Sequence, residues 1–190
     1  MQHSYGTDKP VLRVPFPHAY WVIPDRFMAG GYPGANRPDQ TIDNLKCLFG
    51  TGVRLVINLM KPEELCCSRK ALTDYAGYTD GVADSMGISV DLVSMPIKDT
   101  WVPSRREMCR ILDRIDRALE NEKPVYLHCW GGRGRTGTVV GCYLARHGLD
   151  LQSDSLRLLQ KLRKNTENSQ LPSPETFIQS ELVNSWVKWE

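Results

Sequence analysis

The sequence has no apolar run near the ~18 residues that a membrane-spanning helix requires, so it offers no candidate span. Its opening residues, Met1-Gln2-His3-Ser4-Tyr5, lack the basic stretch and apolar core of a secretory leader, and a cytoplasmic protein is expected. A charge excess is missing too. With 24 Lys and Arg against 22 Asp and Glu, the net charge of +2 is too balanced to point to nucleic acid as a partner. Cysteine is sparse: six residues are too few for a disulfide framework, and no pair of Cys-x-x-Cys spacings suggests zinc. Free thiols in a reducing compartment, with no metal and no other cofactor, are the expectation. What remains is ordinary globular composition, 41% hydrophobic and 24% charged, in 190 residues, enough for one domain with a sizeable core.

The informative stretch is Val125-Tyr126-Leu127-His128-Cys129-Trp130-Gly131-Gly132-Arg133-Gly134-Arg135-Thr136-Gly137-Thr138. Val125 to His128 suit a short buried strand after Pro124, and Thr136 to Arg146 has helical spacing with Gly148 as its stop. Between them lies a strand-to-helix turn with glycines at 131, 132, 134 and 137, whose backbone can approach a ligand closely and aim successive N–H groups at an anion. The helix N-terminus adds partial positive charge at the same place. Cys129 sits where that field favours an ionised, nucleophilic sulfur. Arg135 supplies a planar fork for two phosphoryl oxygens, and Thr136 can hydrogen-bond the sulfur as it leaves.

His128-Cys129, five intervening residues and Arg135-Thr136-Gly137 resemble the signature of the cysteine-dependent protein tyrosine and dual-specificity phosphatases, in particular their bacterial dual-specificity-like members. The resemblance implies a three-layer α/β fold, a phosphocysteine intermediate, no metal, and an aspartate general acid on a separate mobile loop. It covers residues ~20 to ~189 in layout and is sharp only over 125 to 148.

Along the rest of the chain, residues 1–19 read as an N-terminal arm and 20–190 as one phosphatase domain. Tyr20 to Ile23 and Phe27 to Gly30 flank Pro24-Asp25 as a hairpin at the sheet edge. Tyr32 in the following loop either borders the pocket or packs down beside it. Asp39 to Phe49 reads as a helix with Cys47 as a small buried residue, and Val53 to Leu59 as a central parallel strand. Cys66 and Cys67 are adjacent; they either resolve an oxidised Cys129 or are a feature of local packing. Arg69 to Met86 reads as partly helical, interrupted near Gly77 and Gly81, and Ile88 to Met95 as the next strand.

Ser104-Arg105-Arg106-Glu107 has the form of a capping box opening a helix through about Leu119. Asp99 is therefore free of a capping role. It lies in the loop after a strand, one crossover before the nucleophile strand, and parallel strands deliver such loops to one edge. That makes it the candidate general acid, with Pro96 and Trp101 as hinge or lid elements; the plainer reading is a solvated loop aspartate. Leu151 to Leu162 reads as a packed helix whose Arg157, Lys161, Arg163 and Lys164 face solvent. Ser173-Pro174 is expected to start a last helix over Glu175 to Trp189, carrying Gln179, which either positions the hydrolytic water, as the resemblance implies, or lies on the surface.

The expected fold is thus a mainly parallel sheet of about four or five strands flanked by helices, with the site at the strands' carboxyl edge. Cys129 is the expected nucleophile, Asp99 the acid and then the base, and Thr136 an aid to thiolate release. Arg135 and the loop residues Trp130, Gly131, Gly132, Arg133 and Gly134 bind phosphate, with His128 and Gln179 in support. Arg133 either adds a second positive charge for polyanions or pairs with a nearby acid. The expected substrate is a phosphorylated protein, taken up by a monomer. Inositol phosphates or phosphoinositides are the alternative, and a phospho-ligand binding module without turnover is a third reading.

Overall fold

A computed structural model of the chain describes residues 13–66, 73–149 and 154–187. The strands β1 (Tyr20–Ile23) and β2 (Phe27–Gly30) form an antiparallel hairpin, with Asp25 in the left-handed conformation (φ 57°) that an aspartate tolerates in a tight turn. Then come α1 (Pro38–Gly50), β3 (Leu55–Asn58), the single turn α2 (Glu63–Cys66), α3 (Ala76–Ser85), β4 (Asp91–Ser94), α4 (Arg105–Glu120), β5 (Val125–His128), α5 (Arg135–His147), α6 (Ser155–Leu162) and α7 (Phe177–Asn184). The sheet runs β1-β2-β5-β3-β4, and every pairing except the hairpin is parallel. Helices flank this sheet in a three-layer α/β arrangement, as the sequence suggests.

Strand β5 lies at the centre. All four of its residues are fully buried, which is why it reads as an unbroken run without polar alternation. Burying a Val or Leu of this kind contributes about 1.5–3 kcal/mol, so the strand that precedes Cys129 is firmly anchored. Register then positions the site: Gly30, His128 and Asn58 share one row across the parallel strands, and Ser94 pairs with Asn58. The loops after β2, β5, β3 and β4 therefore leave from one edge.

The helices follow local rules. Ser104 Oγ accepts from Glu107 N (3.3 Å) and Glu107 Oε2 accepts from Ser104 N (2.8 Å), the capping box that opens α4. Met108, Ile111, Leu112, Ile115 and Leu119 then bury one face. Gly148 ends α5 at φ 56°. Where α5 meets α7, a Cβ on Gly141 would lie 2.7 Å from Val183 Cγ2, so glycine is what lets these helices approach. Among the described residues, no helix is long and apolar enough to cross a membrane.

Several expectations need correction. Gly77 and Gly81 lie inside α3 and do not interrupt it, since packing of Thr79, Val82 and Ala83 outweighs the helix cost of glycine. β4 begins at Asp91 and not at Ile88, and β3 is confined to Leu55–Asn58. Cys47 is exposed, because the buried stripe of α1 is Thr41, Leu45, Leu48 and Phe49, and position 47 falls outside it. Arg163 is buried at 0% exposure, where the helical pattern places it in solvent. The last helix starts after Thr176 and not at Ser173: Thr176 and Gln179 form its capping box, while the Ser173 hydroxyl donates to Arg133 O at 2.7 Å. That helix is also short, ending at Asn184. Of the 1–19 arm, residues 13–19 are described; Phe16 and Ala19 are buried, and Pro17 O accepts from Glu167 N at 3.0 Å. The redox question over Cys66 and Cys67 lies outside the described side chains, and so does the start of the helix expected from Leu151.

Candidate active site

Cys129 follows β5 directly and is 2% exposed, at the floor of the loop that ends at Gly134, the N-cap of α5. Donors from all around engage the carbonyls of this loop. His128 Nδ1 donates to Cys129 O (3.1 Å), Tyr32 N to Trp130 O (2.9 Å), and Asn168 Nδ2 to Gly131 O (3.0 Å). Ser173 Oγ donates to Arg133 O (2.7 Å), and both Thr138 N and Thr138 Oγ1 donate to Gly134 O (2.9 Å each). In a trans peptide the N–H points opposite to the C=O. Tying the carbonyls of 129, 130, 131, 133 and 134 outward therefore turns the N–H groups of 130, 131, 132, 134 and 135 the other way, which makes an anion nest. Gly132 completes the turn at φ 68°, with its α-carbon so close to the Gly30 backbone that a Cβ there would clash.

Arg135 lies at the first position of α5 with its side chain 1% exposed. Its Nη1 donates to Glu64 Oε1 (2.7 Å) and Ile97 O (3.2 Å), and its Nη2 is 3.1 Å from Asp99 Oδ1. Its Nε has no hydrogen-bond partner among the described residues. Burial works against the guanidinium's charge, but the Glu64 hydrogen bond, Cys129 and Asp99 outweigh it and hold its pKa above the ordinary value. Asp99 itself is 65% exposed at the lip of the site.

His128 is fully buried between Tyr75 and the loop. Because Cys129 O can only accept, Nδ1 carries the proton and Nε2 accepts from Tyr75 OH at 2.7 Å. Burial, and then the charge of Arg135, push its pKa down to about 3, so the ring is neutral. Tyr32 is buried and stacked on the half-exposed Trp130, with ring centroids 6.0 Å apart. It is thus both packed down and part of the aromatic wall beside the loop. Arg133 forms an ion pair with Glu175, the acidic partner among its two sequence readings. The Thr136 hydroxyl is directed to Gly30 O (3.3 Å). Gln179 is fully buried beside Gly134, with its Oε1 accepting from Glu175 N and Thr176 N (3.1 Å each).

Three contributors escape the sequence reading. Glu64 follows β3 at the same edge that singles out Asp99, and that edge rule together with β3 lying beside β5 brings Pro62-Glu63-Glu64 to Arg135. Tyr75 caps His128 from the start of α3. Arg163 donates to Asn168 O (3.3 Å) and Asn168 Oδ1 (2.8 Å), so a buried cation braces the side chain that holds Gly131 O. Among the described residues, no group of His, Cys, Asp and Glu could hold a metal ion.

Over residues 17–175 the chain matches the family described as Swiss Army Knife protein, DSP-PTPase phosphatase domain. Protein tyrosine phosphatase domain-containing protein 1 of Mus musculus is 32% identical over 96 residues, covering 50% of this chain and 13% of that protein. Phosphatidylglycerophosphate phosphatase PTPMT1 of Arabidopsis thaliana is 40% identical over 47 residues, covering 25% of this chain and 14% of that one. The chain thus spans a small part of these relatives' length. The solved structure of Tk-PTP in its active form superposes with a TM-score of 0.64 at 24% identity, covering 90% of this chain and 97% of that one, a likeness of fold.

Proposed function

The chain belongs to the Swiss Army Knife DSP-PTPase phosphatase family, and from that premise we propose that it is an active enzyme hydrolysing phosphate monoesters on protein side chains through phosphocysteine. The observation that carries this reading is the set of outward-tied carbonyls from Cys129 to Gly134, which turns the intervening N–H groups toward one anion above the sulfur.

The phosphate settles on those N–H groups, with the Arg135 fork on its equatorial oxygens. Cys129 Sγ attacks phosphorus; the S–P bond forms as the bond to the leaving oxygen breaks, and Asp99 in its protonated form gives that oxygen a proton. The carboxylate left on Asp99 then takes a proton from water, whose oxygen attacks phosphorus and releases Cys129 as thiolate. Glu64 keeps the Arg135 fork aimed. His128, neutral and held at both nitrogens, supports the Cys129 carbonyl and is not a base. Thr136 assists the leaving sulfur by turning its hydrogen from Gly30 O to Sγ.

The exposed Trp130 ring, backed by the buried Tyr32, offers an aromatic face for a phosphorylated tyrosine, and Arg133 is already engaged by Glu175, which lowers its pull on a polyanion. The family likeness to a phosphatidylglycerophosphate phosphatase favours a second reading, in which a phospholipid or inositol phosphate is the substrate. The protein is proposed to act as a monomer in the cytoplasm, a reducing compartment that spares a nucleophilic thiol.

A turnover panel of phosphotyrosine and phosphothreonine peptides, inositol phosphates and phosphatidylinositol phosphates separates these readings. Turnover of phosphopeptides well above the others supports the protein reading. A preference for the inositol series would replace it, and tight phosphopeptide binding with no turnover of anything would reduce the protein to a binding module.

A further inference from the structure

Residues 173–179 touch both halves of the site. On one side Ser173 Oγ donates to Arg133 O (2.7 Å) and Glu175 pairs with the Arg133 guanidinium, so the segment grips the phosphate loop. On the other side Thr176 Oγ1 donates to Thr100 O (3.3 Å) and Gln179 Nε2 donates to Trp101 O (3.1 Å), so it grips the loop that carries Asp99. Thr100 holds φ at 61°, an uncommon conformation for a β-branched residue, which persists only where the surroundings enforce it. The two bonds from α7 fall on its own carbonyl and the next one.

The Gln179 amide is oriented by its partners: two backbone N–H groups face one end and a carbonyl faces the other, so oxygen and nitrogen are assigned without ambiguity. Its Oε1 is taken by the α7 capping box and its Nε2 by Trp101 O, so the side chain is committed at both ends. This committed state differs from that of a side chain that carries the hydrolytic water.

We propose that Gln179 is a positioning residue which, with Thr176, holds the Asp99 loop at its working distance from the phosphate cradle. The proposal rests on the phosphatase reading for its kinetic consequence, and on the geometry alone for its effect on the loop. Cutting the Gln179–Trp101 bond frees the loop, and Asp99 then spends less time where it can protonate a leaving oxygen. Chemistry that needs no proton on the leaving group is spared.

Two substitutions isolate the donor. Gln179→Glu keeps the acceptor that the capping box uses and, when ionised, turns a negatively charged oxygen on Trp101 O in place of the donor, whereas Gln179→Met keeps the volume without charge but loses both donor and acceptor. An effect that the two share belongs to the lost donor, and the Glu variant keeps the helix start if the Met variant does not fold. Hydrogen–deuterium exchange of residues 97–103 should be faster in both variants by about tenfold, the equivalent of one hydrogen bond of ordinary strength. Turnover should fall by about tenfold or more for alkyl and unsubstituted phenyl phosphates, and stay close to wild type for nitrophenyl phosphate. In an Asp99→Asn background the Gln179 changes should cost nothing further.

Unchanged loop exchange would overturn the proposal. So would a loss that is equal across leaving groups with the first-turnover burst intact, the signature of a residue that serves the water. A wild-type protein inactive on every aryl phosphate would remove the phosphatase reading and leave the exchange measurement to decide this one.

Discussion

Glu64 Oε1 lies 2.7 Å from Arg135 Nη1, and this ion pair joins α2, which follows β3, to the first residue of α5. The Arg135 side chain is 1% exposed and Glu64 20%, so the pair is shielded from solvent on one side only. Its role is orientation: with Nη1 held by Glu64, Nε has no partner among the described residues and Nη2, 3.1 Å from Asp99 Oδ1, would exchange that contact for a phosphate oxygen.

Glu64→Gln keeps an oxygen acceptor at that distance, and Glu64→Ala removes it. The Gln variant should retain kcat/KM close to wild type on an aryl phosphate, while the Ala variant should lose roughly tenfold or more, in line with ~1.5–3 kcal/mol for a hydrogen bond to a charged group. Equal kcat/KM in all three proteins would remove Glu64 from the positioning of Arg135.

Asp99 is proposed as the acid from its place 3.1 Å from Arg135 Nη2. Asp99→Asn should lower the rate by about 10²–10⁴ for alkyl or unactivated phenolic leaving groups and much less for a nitrophenolate. Rates across a series of aryl phosphates check this, and a uniform loss or none would return Asp99 to the plain role of a solvated loop residue.

Acid stability should depend on His128. Its folded pKa of about 3 lies below the usual 6.5, so between those values the unfolded chain binds the extra proton and stability falls as pH falls. His18, whose pKa burial also lowers, acts in the same direction. The slope from one such group is at most about 1.4 kcal/mol per pH unit. Urea midpoints at pH 7 and 4.5 should differ more for wild type than for His128→Gln, and identical pH responses would contradict the buried neutral histidine.

A chelator should leave turnover unchanged and vanadate should inhibit it, because loop N–H groups and Arg135 supply the charge stabilisation. Loss of activity on chelation, restored by a divalent ion, would place the chemistry on a metal.

Legibility in the sequence followed the distance over which each feature is encoded. The chemistry from His128 to Thr136 is contiguous, so strand, cradle and nucleophile could be read in one pass. The capping box at Ser104 and the apolar face of α4 are equally local. Asp99 needed one topological rule, the common edge of parallel strands. Glu64 needed the sheet order as well, since only β3 lying beside β5 brings Pro62-Glu63-Glu64 to Arg135. Helical periodicity places Arg163 in solvent because most of its acceptors, Asn168 O, Asn168 Oδ1 and Leu171 O, come from the turn after α6, with only Gln160 Oε1 on the helix itself. At the last helix two capping signals compete three residues apart; Ser173 is drawn to Arg133 O, and Thr176 is left to cap.

Cys129 is proposed to carry the phosphoryl group between the two half-reactions. Rapid quenching of the protein with a ³²P-labelled aryl phosphate, followed by peptide mapping, tests it most directly. A phosphoryl adduct on the peptide containing Cys129, persisting in alkali as an S-phosphate dianion does, is expected, and it should be absent in Cys129→Ser, which should still bind vanadate or phosphate through the cradle and Arg135. Label on any other residue, or turnover by Cys129→Ser near the wild-type rate, would contradict it.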